Sequence, residues 1–298
     1  MSNTTAAVNS LPQFSSTLPY EIVKHILETL WILTTIFNIS FAIMFIYFFC
    51  KPQNPIRSPY FFLIFETTVI RAISCPIRYP NNHQSTMPFK MPNWYPTLHE
   101  MYMGLTMQIH GIIILALALN RLTAFMIPLK HQKLWCGRNF TFLLIFILLY
   151  PLLPNLPIAH LFYCYWKLDS DGGYCRANFI GTHKYVYLGN LITPLIAFIM
   201  NAIAVKYRFS TTHGSILNHK AEIKLLYQSI FSTVTFTIWT LLNLASYELT
   251  PIIRNTPEPD EKDFLMQIRS WTSRIMDLSG ILYFEGGLIL LFKFSCFY

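Results

Sequence analysis

Charge is scarce in this chain. Asp, Glu, Lys and Arg make up 12% of its 298 residues, against about 25% in soluble domains. A water-soluble fold of this length would lack polar surface. Residues 1–20 hold no Lys, no Arg and no apolar core, so no cleavable signal peptide is expected. They read as a polar tail rich in Ser, Thr, Asn and Pro. No Cys-x-x-Cys and no close His/Cys spacing is present, which argues against a metal site and leaves no cofactor to expect. Gly-rich phosphate loops, Gly-x-Ser-x-Gly and His-Glu-x-x-His are also missing, so the chain is not expected to be an enzyme. There is no internal repeat.

Apolar residues fill the gap: 53% of the chain, with mean hydropathy +0.40 and 25 Phe, 17 Tyr and 6 Trp. They come in blocks long enough to cross a bilayer, which takes roughly 20 residues as helix. Seven are expected, over 22–49, 59–77, 98–120, 140–163, 185–205, 223–250 and 268–292. The chain therefore reads as an all-α membrane protein. Its organisation is an extracellular tail (1–21), a seven-helix bundle of rhodopsin-like architecture (22–292) and a short cytoplasmic tail (293–298). The second block holds Glu66 and Arg71. The fourth carries Pro151, Pro154 and Pro157, so its outer half should kink or unwind.

Loop charge sets the orientation. With the N-terminus outside, the inner segments gather eleven Lys and Arg against nine in longer outer segments, at higher density inside. The sequon Asn3-Thr4-Thr5 then falls outside and Asn3 is a glycosylation candidate, whereas Asn139 abuts a helix. The net charge of +8 belongs to this orientation and to lipid headgroups rather than to nucleic acid. Cys75, Cys164 and Cys175 fall at the oxidising outer side, and Cys50, Cys136 and Cys296 at the inner side. Cys164 and Cys175 flank the flexible run Asp169–Gly173 and could pair with each other. Cys75 pairing with one of them is the rival, and three free thiols the alternative to both.

Ionisable residues at membrane depth are costly, about 2.5–3.5 kcal/mol each, and should face the bundle interior. Glu66 and Arg71 stand five apart on the second helix; pairing within the bundle competes with a ligand role, and Arg71 could snorkel outward. On the third helix His99, Met103, Met107, His110 and Ile114 form one stripe descending from the outer rim. Such a lining suits a small-molecule pocket, while ordinary packing with a hydrogen-bonded His110 is the plainer alternative. Tyr247 and Glu248 are rim candidates. On the seventh helix Asp277 and Arg274 are three apart and can pair. Glu285 is deeper with no local partner, and Gly286-Gly287 would admit a close neighbour helix.

At the inner end of the third helix the chain reads Asn120-Arg121 … Pro128 … Trp135. This stretch resembles nematode serpentine chemoreceptors, in particular serpentine receptor class gamma and the related class V. Asn190-Leu191-Ile192-Thr193-Pro194 on the fifth helix is similar to the same superfamily. The resemblance implies a G-protein-coupled receptor for a small molecule or pheromone. Its expected partners are a heterotrimeric G protein and the lipid bilayer, and its expected place is the plasma membrane, as a multi-pass protein of sensory cilia. Asn120, Arg121 and Pro128 would then lie in the coupling region. In rhodopsin-like receptors an arginine at this position often pairs with an acid at the foot of the sixth helix; here that acid would be Glu222. Other rhodopsin-like features are lacking: Asn120 stands where an acid is usual, the expected sixth span has no internal Pro, and the seventh has no Asn-Pro-x-x-Tyr. No Lys precedes Lys293 on the seventh helix, which argues against retinal. The competing function is a transporter or channel using Glu66, Arg71, Asp277 and Glu285 as a pathway.

Overall fold

The computed structural model describes residues 18–50, 59–82, 92, 94–155, 164–166, 173–175, 177–210 and 216–290. Helices α1 (Leu18–Cys50), α2 (Pro59–Asn82) and α3 (Tyr95–Met126) come first. Three short helices follow: α4 (Pro128–Leu134), α5 (Gly137–Leu149) and α6 (Leu152–Asn155). After a hairpin of β1 (Cys164–Trp166) and β2 (Gly173–Cys175), the chain continues as α7 (Ala177–Ser210), α8 (Ile216–Asn255) and α9 (Pro259–Ile281). A π-helical turn over Leu282–Gly286 ends α9, and residues 287–290 are α-helical again.

Among the described residues, four helices are long and apolar enough to cross a membrane: α1, α3, Leu188–Tyr207 of α7 and Ile223–Ile253 of α8. They mark a helical membrane protein. The segments α2 and α9 are helical but more polar, carrying Glu66 and Arg71 in one and Arg274 and Asp277 in the other. Helix α5, at 13 residues, covers about 20 Å.

Proline and glycine punctuate the chain where their backbone chemistry predicts. Pro128 and Pro259 open α4 and α9, where a missing N–H costs nothing. Gly137 separates α4 from α5 with φ +56, a conformation that penalises a Cβ. The expected break in the fourth span falls at Tyr150-Pro151, between α5 and α6; Pro157 lies outside the described residues.

Described helix runs beyond two of the expected spans. Helix α1 is described from Leu18, with Pro19 in its first turn and Glu21 where the helix dipole favours an acid. Its first turn also has a tertiary anchor, since Arg274 donates to the Tyr20 hydroxyl oxygen at 3.1 Å. Helix α8 runs past 250 and includes Pro251, so it does contain an internal proline. One short hairpin accompanies the helices: Cys-Tyr-Trp and Gly-Tyr-Cys, rich in strand-forming aromatics, pair antiparallel.

The helices close a ring: α1 packs on α2, α2 on α3, α3 on α7, α7 on α8, α8 on α9 and α9 on α1. Helix α3 is the axis. Of its most apolar window 67% is buried, against 17% for α1. Outward faces carry Ile36, Phe37, Phe198 and Ile199, apolar side chains suited to lipid. Inside, one cluster joins Phe45, Tyr60, Leu63, Ile113, Trp135 and Ile147. A second joins Met107, Ile114, Phe236, Trp239, Tyr283 and Phe284. Polar groups sit between and beside these two clusters.

Candidate functional site

The α3 stripe turns inward as its spacing predicts: His99, Met107, His110 and Ile114 are buried, and Met103 is half-buried. His110 is fully enclosed. Its ring meets Phe284 edge-on at 4.8 Å and Tyr283 at 5.7 Å. Neither imidazole nitrogen has a hydrogen-bond partner among the described residues. The expected hydrogen-bonded histidine is thus replaced by one boxed in aromatic rings. Trp239 and Phe236 of α8 continue this box against Tyr283.

Arg71 is a second departure. It does not snorkel; it is 1% exposed. Its guanidinium lies 3.4 Å from the ring centroid of Trp31 on α1 and 4.6 Å from that of Phe284. Two aromatic faces replace water around a cation, an arrangement that guanidinium tolerates because it is weakly hydrated. The Glu66 carboxylate oxygens have no hydrogen-bond partner among the described residues.

Glu285 has the partner that its own helix does not offer. Asn38 Nδ2 on α1 donates to Glu285 Oε1 at 2.7 Å, a contact that reaches across the bundle. The other oxygen, Oε2, is enclosed with no partner among the described residues. Beside this pair lies a cavity of about 30 Å³, whose polar lining is Asn38, Thr67, Thr68, Gln228 and Ser232. That is room for one or two water molecules.

The glycines next to Glu285 allow this crowding. A Cβ on Gly286 would stand 2.6 Å from the Phe231 ring, and one on Gly287 3.2 Å from Ser232 Oγ. Helix α8 therefore packs on backbone here, as the Gly286-Gly287 pair predicts.

Towards the Met126 end of α3, Asn120 and Arg121 are buried. The Arg121 guanidinium lies 4.0 Å from the Tyr60 ring centroid. Tyr60 donates its hydroxyl to Gln228 Oε1 at 2.7 Å, and Gln228 Nε2 donates to the Gly287 carbonyl at 2.8 Å. One polar chain thus joins α3, α2, α8 and the segment after the π turn. Glu222 lies on α8, but its side chain is outside those described.

Pro128 and Trp135 have structural work in the same region. Pro128 starts α4, which doubles back so that Trp135 Nε1 donates to Thr123 Oγ1 at 2.9 Å. Nearby, His131 Nδ1 sits 3.1 Å from the same hydroxyl. Burial, with help from the Arg121 charge, holds the His131 imidazole below its ordinary range.

The remaining candidates are spread out. Arg274 and Asp277 pair at 3.3 Å as spaced, and Arg274 also meets Tyr20. Tyr247 is partly buried against the second apolar cluster, and Glu248 is half-buried near it on α8. Cys164 and Cys175 are Cα partners in the hairpin register. The side chain of Cys75 is not among those described, and Asn3 and Cys296 lie outside the described residues. Sequence reasoning missed Trp31, Asn38, Tyr60 and Gln228. The signal was there for two of them: Asn38 is a lone amide inside an apolar run, and Gln228 interrupts another.

No protein-family model matches the chain, and comparison with curated proteins finds no match.

Proposed function

We propose that the chain is a seven-helix G-protein-coupled receptor of the plasma membrane, with its N-terminus outside, serving as a sensory chemoreceptor for a small molecule. In this proposal α2, the α5–α6 pair and α9 with its π turn complete the bundle begun by the four apolar helices. The supporting observation is that α3 carries two polar stations. His110, boxed in aromatics with no hydrogen-bond partner among the described residues, is the ligand-sensing station. Arg121, stacked on Tyr60 and linked through it to α8, is the coupling station for a heterotrimeric G protein. Phe284 meets the His110 ring and Gly287 accepts from Gln228, so one segment reaches both stations. A ligand that repositions the aromatic box would move the helix that holds the lower chain.

The experiment is a small-molecule screen on expressing cells with a G-protein activation readout. Glycosylation tags at residues 1–10 and 209–219 test the orientation: only the first should be modified. The enclosed carboxylate oxygens of Glu66 and Glu285 favour a second function, a transporter or channel. Uptake or current in liposomes without G protein would select it instead.

A further inference from the structure

The hairpin between α6 and α7 brings two cysteines into register. Cys164 on β1 and Cys175 on β2 are direct partners in the antiparallel ladder, followed by Tyr165 with Tyr174 and Trp166 with Gly173. Directly opposed residues of an antiparallel pair lie about 4.5 or 5.5 Å apart between Cα atoms and share one face of the ladder. A disulfide needs about 4.4–6.8 Å. Either spacing of the ladder satisfies that range with no backbone movement. Cys75 is placed differently. It lies inside α2, seven residues before the helix ends at Asn82, or about 10 Å along the axis.

Location gives the hairpin its use. It packs on α3. By connectivity it sits at the Tyr95 end, since α5 starts beside the Met126 end and runs the other way. That end of α3 carries His99 and Met103.

We infer that Cys164 and Cys175 form a disulfide that fixes the hairpin as a rigid cap over the outer end of α3. The cap's role in ligand access rests on the receptor proposal; the covalent bond does not. Formation is thiol–disulfide exchange with a disulfide oxidant of the secretory route. The two thiols lose two protons and two electrons and a new S–S bond forms. The oxidant's S–S bond breaks and leaves as a dithiol.

The test uses the full chain purified from eukaryotic membranes, with free thiols alkylated before any reduction. Mass spectrometry of the unreduced digest should find peptides containing Cys164 and Cys175 linked. Alkylation of both, or linkage of either to Cys75, overturns the pairing. Cys75→Ser should leave the linked peptide intact. Reductant should lower the unfolding temperature of the wild-type chain by several degrees and leave the Cys164→Ser/Cys175→Ser double variant unmoved; an equal response of the two would overturn the cap. In a chain with the linked peptide, agonist potency should fall at least about tenfold on mild reduction. Unchanged potency rejects the gating role alone, and absence of any G-protein response alongside an intact linked peptide rejects the receptor proposal alone.

Discussion

Arg121 lies with its guanidinium carbon 4.0 Å from the ring centroid of Tyr60. An aromatic ring on α2 therefore stands against the cation that the receptor resemblance would pair with Glu222 on α8. The Tyr60 hydroxyl extends the contact to Gln228, so one tyrosine uses its face for α3 and its edge for α8. Tyr60→Phe keeps the face and removes the edge. It leaves buried Gln228 Oε1 without its donor, a cost of about 1–3 kcal/mol. The unfolding temperature should drop, and basal G-protein activity should rise at matched surface expression. Tyr60→Leu removes the face as well and should raise basal activity further. Basal activity unaltered in both variants would mean that this contact does not set the resting state.

Asn38 donates a short hydrogen bond of 2.7 Å across the bundle to Glu285. Leaving a buried polar group without its hydrogen-bond partner costs about 1–3 kcal/mol. Asn38→Leu strips the carboxylate of its donor and should reduce folded yield and unfolding temperature in detergent. Glu285→Gln keeps a hydrogen-bonding oxygen and should lose less. Equal losses in the two variants would place the cost in packing rather than in the hydrogen bond.

His110 presents a sharper contrast. An imidazole enclosed with no hydrogen-bond partner among the described residues loses its hydration at a cost of about 1–3 kcal/mol for a neutral group. His110→Phe keeps a flat ring in the aromatic box and removes that cost, so the variant should unfold at a higher temperature than wild type. If the imidazole is there for a ligand, agonist potency should fall in the same variant, and Met107→Ala should weaken potency as well. A variant both more stable and fully responsive would show that the imidazole has no part in sensing.

Below neutral pH the α3–α4 corner should weaken. His131 titrates below its ordinary range in the folded chain because of burial and the nearby Arg121 charge. The unfolded chain then takes up this proton first as pH falls from about 6.5. Stability from the neutral imidazole is fully present above that value and is lost as pH falls towards the folded value. Unfolding temperatures taken from pH 7.5 down to 5.5 should therefore decline less steeply in His131→Gln than in wild type. Parallel declines would assign the pH dependence to other groups.

The broad fold was legible because apolar blocks in a polar-poor chain have few options. The α3 stripe was legible for a similar reason: residues spaced at helical intervals must share a face. Arg71 was not, since its environment comes from Trp31 and Phe284, forty residues before it and more than two hundred after. The same holds for Glu285, whose donor lies on the first helix. Local spacing identifies pairs such as Arg274 and Asp277, where both partners ride on one helix. It carries no information about which helices become neighbours. The hairpin was hidden because three-residue strands leave almost no periodic signal.

Gly286 and Phe231 share one volume of space, since a Cβ on the glycine would come within 2.6 Å of the ring. This has a consequence for how the protein can vary. Replacing a helical glycine with alanine is ordinarily a gain of about 0.5–1 kcal/mol. Here overpacking, at about 1–3 kcal/mol, outweighs it. The two positions are therefore tied in descent: a lineage can enlarge residue 286 only after, or together with, a smaller residue at 231. Natural variants should show the pair changing in step, as a single inherited unit spanning two helices.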